Sequence, residues 1–170
     1  MDGSETVKYF ACGSNMLTKR LEDRIGPVEA VGWATIRSHA ARFNKRGEDG
    51  SGKLGLFRTG DGRDFVIGVI FEIPADKLAE LDRIEGVGHG CERQEVQVEL
   101  GDEQIKVITY VATPDAFEEQ LEPYNWYHGQ VVIGAHEHNL PGMYIEMLHR
   151  ALTKPDPVAE RDQRERSLFK

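Results

Sequence analysis

The amino-acid sequence predicts a mixed α+β domain, and three observations predict it. Strand-like and helix-like runs are interspersed without the regular strand-helix-strand alternation of a doubly wound parallel sheet. Two of the strand runs are joined by a short Gly-Asp-Glu turn, the mark of an antiparallel hairpin rather than a crossover. With 170 residues, 39% of them hydrophobic, the chain can bury one substantial core and falls in the size range of a single domain. That domain is expected over residues 1–153. A charged C-terminal tail, 154–170, carries two prolines and reads as a frayed end or a loosely attached helix.

Each element has its own signal. Val7 to Cys12 is apolar and runs into Gly13-Ser14-Asn15, after which Met16, Leu17, Leu21 and Ile25 recur at helical spacing, so a strand, a tight loop and a helix are expected. Ser14 or Asn15 would cap that helix and Gly26 would end it. Val28 to Phe43 fits two strands around a turn near Arg37-Ser38. Lys45 to Lys53 is polar and Gly-rich and reads as a surface loop. Strands follow at Lys53 to Arg58 and Phe65 to Phe71, separated by Thr59-Gly60-Asp61-Gly62. Pro74 opens a helix with Leu78, Leu81 and Ile84 on one face, and Gly86-Val87-Gly88-His89-Gly90 ends it. Val96, Val98 and Leu100 alternate against Ile105, Val107 and Thr109 in a hairpin. Helices are expected from Tyr124 to His138 and from Pro141 through Leu152.

Composition narrows the function classes. A net charge of -8 argues against nucleic acid and anionic lipid as partners, because both demand clustered Lys and Arg. Met1 to Thr6 is polar and acidic, unlike a secretory leader, and no apolar run approaches the ~20 residues that span a bilayer. Cys12 and Cys91, the only cysteines, make neither a disulfide framework nor a four-ligand zinc pattern. A cytoplasmic protein is expected, either monomer or homodimer. His136 and His138, two apart on a helix, face different ways and make poor joint ligands even with His149 nearby, so no metal site is expected.

Two segments carry chemistry. The turn at Gly13-Ser14-Asn15 presents successive backbone N–H groups at the positive end of a helix, which suits a carboxylate or a developing oxyanion. Glu85 leaves the end of an amphipathic helix beside Ile84 and Val87, among glycines that permit close approach. A partly desolvated carboxyl there suits general acid/base work. Taken separately, each segment is equally an ordinary helix cap and an ordinary exposed Glu.

The two occur together with a third, and the set resembles the γ-glutamylcyclotransferase family. Tyr9-Phe10-Ala11-Cys12-Gly13-Ser14-Asn15-Met16 is similar to its Tyr-Phe-Ala-Tyr-Gly-Ser-Asn signature. Leu81-Asp82 followed by Glu85-Gly86-Val87 is similar to its Leu-Asp-x-x-Glu-Gly-Val. Thr109-Tyr110-Val111, Tyr127, and Gly134 through Tyr144 resemble its pocket strand and C-terminal helices. The resemblance implies a small mixed β-barrel flanked by helices, and a cofactor-independent enzyme acting on a small-molecule γ-glutamyl substrate to release 5-oxoproline and an amine. It implies Glu85 as the catalytic proton shuttle, with Cys12, Gly13, Ser14, Asn15, Tyr110 and Tyr127 around the substrate. Tyr110 would add a hydroxyl donor.

The sequence departs from the pattern where Cys12 and Cys91 stand in place of family tyrosines, which implies a roomier, less polar pocket. Three alternatives stay open. Cys12 could act as a nucleophile or pair with Cys91; the substrate could be a γ-glutamyl-capped amine; or the domain could bind a γ-glutamyl-like ligand without turning it over.

Overall fold

A computed structural model describes residues 5–169. Met1 to Ser4, most of the polar opening considered above, lie outside the described residues. The elements are β1 (Thr6–Ala11), α1 (Thr18–Ile25), β2 (Glu29–Arg37), β3 (His39–Arg46), β4 (Gly52–Arg58), β5 (Phe65–Pro74), α2 (Leu78–Glu85), β6 (Cys91–Leu100), β7 (Glu103–Ala112), α3 (Asn125–Glu137), α4 (Gly142–His149) and α5 (Ala159–Arg166).

Five strands close into a barrel in the order β1-β5-β2-β6-β7, while β3 and β4 form a separate two-stranded sheet. β1 pairs antiparallel with β5 from Thr6 opposite Pro74 to Ala11 opposite Val69, and closes on β7 in parallel at Tyr9 opposite Ile108. The expected β6–β7 hairpin is present, with Val98 opposite Ile105 and Val96 opposite Val107. The protein is therefore a small mixed barrel flanked by helices, as the resemblance implies.

Residue alternation explains where the core sits. Side chains along a strand point to opposite faces, and β5 is apolar at nearly every position, so it is buried on both sides. Its Ile67, Val69, Phe71 and Ile73 join Tyr9, Leu21, Val131, Ala135 and Leu148 in a layer between barrel and helices. Its Val66 and Ile70 join Phe10, Ile36, Val98 and Val107 in a second cluster drawn almost entirely from strands, the filling of the barrel.

Three local expectations change. Neither Ser14 nor Asn15 caps α1: residues Ser14–Met16 form a separate 3-10 turn, α1 begins after Leu17, and no side chain bonds its N-terminus. Lys45 to Lys53 is not all loop, because β3 continues to Arg46 and β4 starts at Gly52, leaving only 47–51 as the connection, closed by the Gly47 amide on the Ser51 carbonyl at 2.9 Å. The C-terminal segment is docked. The Asp156 carboxylate accepts from Trp126 Nε1 at 2.8 Å and from Arg161 Nε at 2.6 Å.

One glycine fixes the geometry that matters most. A Cβ on Gly134 in α3 would lie 2.5 Å from the Leu17 amide nitrogen and 2.7 Å from the Met16 carbonyl carbon. Only a residue without a side chain lets α3 press against the Ser14–Met16 turn this closely.

Candidate active site

The turn after β1 and the end of α2 meet although their sequences are seventy residues apart. α2 ends because Gly86 adopts a left-handed conformation (φ 79°), and its amide turns back toward the carbonyls of the last helical turn. Glu85 is thereby the final helical residue, with its side chain 25% exposed. Its Oε2 accepts from Asn15 Nδ2 at 3.2 Å and from Arg24 Nη1 at 3.4 Å. Asn15 Nδ2 also donates to the Tyr9 hydroxyl at 3.0 Å, and Asn15 Oδ1 accepts from Arg24 Nη1 at 3.3 Å. The Asn15 amide is thus oriented by its partners, carbonyl toward the guanidinium and amino group toward the carboxylate.

Ser14 is fixed with equal care. Its hydroxyl accepts from Arg20 Nε at 2.8 Å, and Arg20 reaches on to Glu165 of α5 at 2.8 Å. Burial pulls the Arg20 guanidinium down to about 10, with Arg24 adding to the effect, so it keeps its charge at neutral pH. The turn's own closing bonds come from the amides of Met16 and Leu17 at 3.1 Å. The N–H groups ahead of them are the ones a helical turn leaves without an internal partner.

Together these groups line a recess of about 70 Å³ bounded by Tyr9, Cys12, Gly13, Ser14, Asn15, Leu54, Glu85, Tyr110 and Tyr127, among others. Every site residue expected from the sequence is on that wall. Ser14, Leu54, Leu56, Glu85, Tyr110 and Tyr127 also line a larger outer cleft of about 480 Å³.

The tyrosines divide the work differently from expectation. The Tyr110 hydroxyl donates to Asp82 Oδ1 at 2.7 Å, and burial together with that carboxylate raises its pKa far above the usual phenol value. Its single proton is committed to Asp82, so the donor role expected for Tyr110 is directed away from the recess. Tyr127 is the opposite case. Its hydroxyl accepts from the Leu54 amide at 3.0 Å, which leaves its own proton to give, and burial pushes its pKa up to about 12.

The cysteines are buried free thiols. Burial, with Glu85 nearby, pushes Cys12 up to about 12 and Cys91 up to about 11. Both stay protonated at neutral pH, and a nucleophilic Cys12 does not fit that environment.

Arg20, Arg24 and Tyr9 were not singled out from the sequence. The two arginines lie four residues apart on α1 and so share a face. That spacing was visible; the direction of the face was not.

Comparison with known proteins agrees with this fold. The AIG2-like family model matches residues 65–148. A Bos taurus γ-glutamylcyclotransferase is 28% identical over 85% of this chain and 78% of its own length, and a Mus musculus γ-glutamylcyclotransferase is 28% identical over the same shares. Among solved structures, a γ-glutamyl cyclotransferase superposes with a TM-score of 0.83 at 26% identity, covering 96% of this chain and 99% of that one. An uncharacterised Homo sapiens protein superposes with a TM-score of 0.84 at 26% identity, covering 98% and 99%. With its closed mixed barrel and its motifs in the same order, the chain is similar to γ-glutamylcyclotransferases in both sequence and fold.

Proposed function

We propose that the protein converts a γ-glutamyl amino acid or amine into 5-oxoproline and the free amine, with Glu85 as the general acid/base. The observation that carries the reading is the placement of the Glu85 carboxylate 3.2 Å from Asn15 of the amide-rich turn, inside one recess. The chemistry calls for that pairing. The substrate's α-amine is an ammonium at neutral pH and must become a nucleophile toward its own γ-carbonyl.

Glu85 takes one proton from the ammonium, and the freed lone pair attacks the γ-carbon. The γ-carbonyl oxygen becomes an oxyanion facing the N–H groups of Gly13, Ser14 and Asn15, with the Tyr127 hydroxyl as a further donor. Glu85 then gives that proton to the departing nitrogen as its bond to the γ-carbon breaks, and takes the second proton from the ring nitrogen, which ends as the neutral lactam N–H. This second proton goes to the released amine, which leaves as its ammonium. Closing a five-membered ring is favoured once the chain is held folded, so positioning supplies much of the advantage. Arg24 and Asn15 hold the carboxylate in place throughout.

The test is 5-oxoproline release from a panel of γ-glutamyl dipeptides, followed by mass spectrometry. Glu85→Gln should lower the rate by about 10²- to 10⁴-fold, the usual worth of a positioned acid/base. Activity of Glu85→Gln equal to that of the parent, or no 5-oxoproline from any substrate, would overturn the reading.

A further inference from the structure

Lys45 stands out in the outer cleft. Every other Lys or Arg side chain lining that cleft holds a carboxylate, from Arg20 on Glu165 to Arg161 on Asp156. Among the described residues, Lys45 is the cleft cation without an anionic partner. It is half-buried on β3, directly opposite Lys53 of β4, so the two side chains leave the same face of the hairpin. Lys53 is spoken for: its ammonium lies 4.7 Å and 4.6 Å from the centres of the Trp126 and Tyr127 rings and 2.9 Å from Asp49 Oδ2. The charge of Lys45 instead reaches the Cys91 thiol, which lines the same cleft as Glu85. A half-buried charge without a counter-ion is costly and favours an anion that can reach it.

The cyclisation geometry says which anion. If the closing ring occupies the recess between Glu85 and the turn at Gly13–Asn15, the space left for the departing group is the larger cleft, which shares Ser14, Glu85 and Tyr127 with the recess and is lined by Lys45. We propose that Lys45 receives a carboxylate carried by the departing amine, which makes the outer cleft a subsite that selects anionic leaving groups over neutral ones. This rests on the cyclotransferase reading.

The experiment compares γ-glutamyl-L-alanine with γ-glutamyl-L-alaninamide, near-isosteric compounds that differ in charge. Two readouts are taken: kcat/KM for 5-oxoproline release, and calorimetric affinity for the Glu85→Gln protein. The acid should be preferred by about tenfold, the worth of one charge-assisted contact. Lys45→Gln should bring that ratio to near one, and Lys45→Arg should restore most of it. A general loss of folding or fit would lower both compounds together and leave the ratio intact. 5-Oxoproline release with an acid-to-amide ratio near one in the parent, or a ratio unmoved by Lys45→Gln, overturns the subsite and leaves the reaction standing. A Lys45-dependent binding ratio without any 5-oxoproline sinks the reaction and leaves the subsite. Neither binding nor release of either compound overturns both.

Discussion

Asn15 ties the two chemical segments together, because its side chain touches Tyr9, Arg24 and Glu85 at once. A residue capping α1 would have spent that side chain on the helix. The two buried thiols permit a direct prediction. At pH 8 iodoacetamide should label Cys12 and Cys91 in the native protein at least about a hundredfold more slowly than in the unfolded chain, since only the thiolate reacts and burial suppresses it. Quantitative mass spectrometry of the alkylated peptides checks this, and rapid labelling of Cys12 would revive the nucleophile reading. Much of the candidate site was legible only because Gly13-Ser14-Asn15 and Glu85 sit in short segments that together resemble the motifs of γ-glutamylcyclotransferases; taken alone, each reads as an ordinary cap or an exposed Glu. Tyr127 was harder to rank. Its hydroxyl is oriented by the amide of Leu54, which comes from another part of the chain altogether, and no local pattern encodes that direction. The commitment of Tyr110 to Asp82 escaped notice for the same reason.

Among the elements, the C-terminal helix shows how a polar segment becomes structural. None of the residues of α5 is fully buried, so dense charge reads as solvent-facing, and a loosely attached end was the natural expectation. The attachment rests on a few long-range contacts instead. Glu165 accepts from Arg20 at 2.8 Å and from Gln130 Nε2 at 3.1 Å, and Arg20 in turn holds Ser14. Glu165→Ala removes the anion from an arginine whose side chain is 9% exposed. It should cost about 3 kcal/mol, at the lower end of the penalty for breaking a buried pair because Glu165 keeps some contact with water. Urea denaturation measures the loss, and an unchanged midpoint would show that α5 does not brace the turn. The β3–β4 hairpin was under-read for a related reason. A two-stranded sheet with one wet face tolerates Asn44, Lys45 and Arg46 inside a strand, so its composition resembles a loop.

At the scale of the whole molecule, β5 belongs to both apolar clusters, and its two faces cannot come apart separately. Phe71 packs with the helices and Ile70 fills the barrel, both with no exposed surface. Unfolding should therefore be one transition, even though the clusters are divided by the sheet. Two tryptophans report on the two sides: Trp33 on β2 of the barrel and Trp126 on α3 of the helical layer. Phe71→Ala should cost about 3–5 kcal/mol and Ile70→Ala about 2–5 kcal/mol, the usual range for emptying a buried site. Each substitution should shift the urea midpoint equally at both reporters, read in single-tryptophan backgrounds made with Trp33→Phe and Trp126→Phe. A Phe71→Ala protein whose helical layer melts while the Trp33 signal keeps its original midpoint would mean that the barrel folds on its own. The recess between turn and helix would then lack the rigid frame its chemistry needs, because α3 presses on Ser14–Met16 through Gly134 only while the helical layer stays in place.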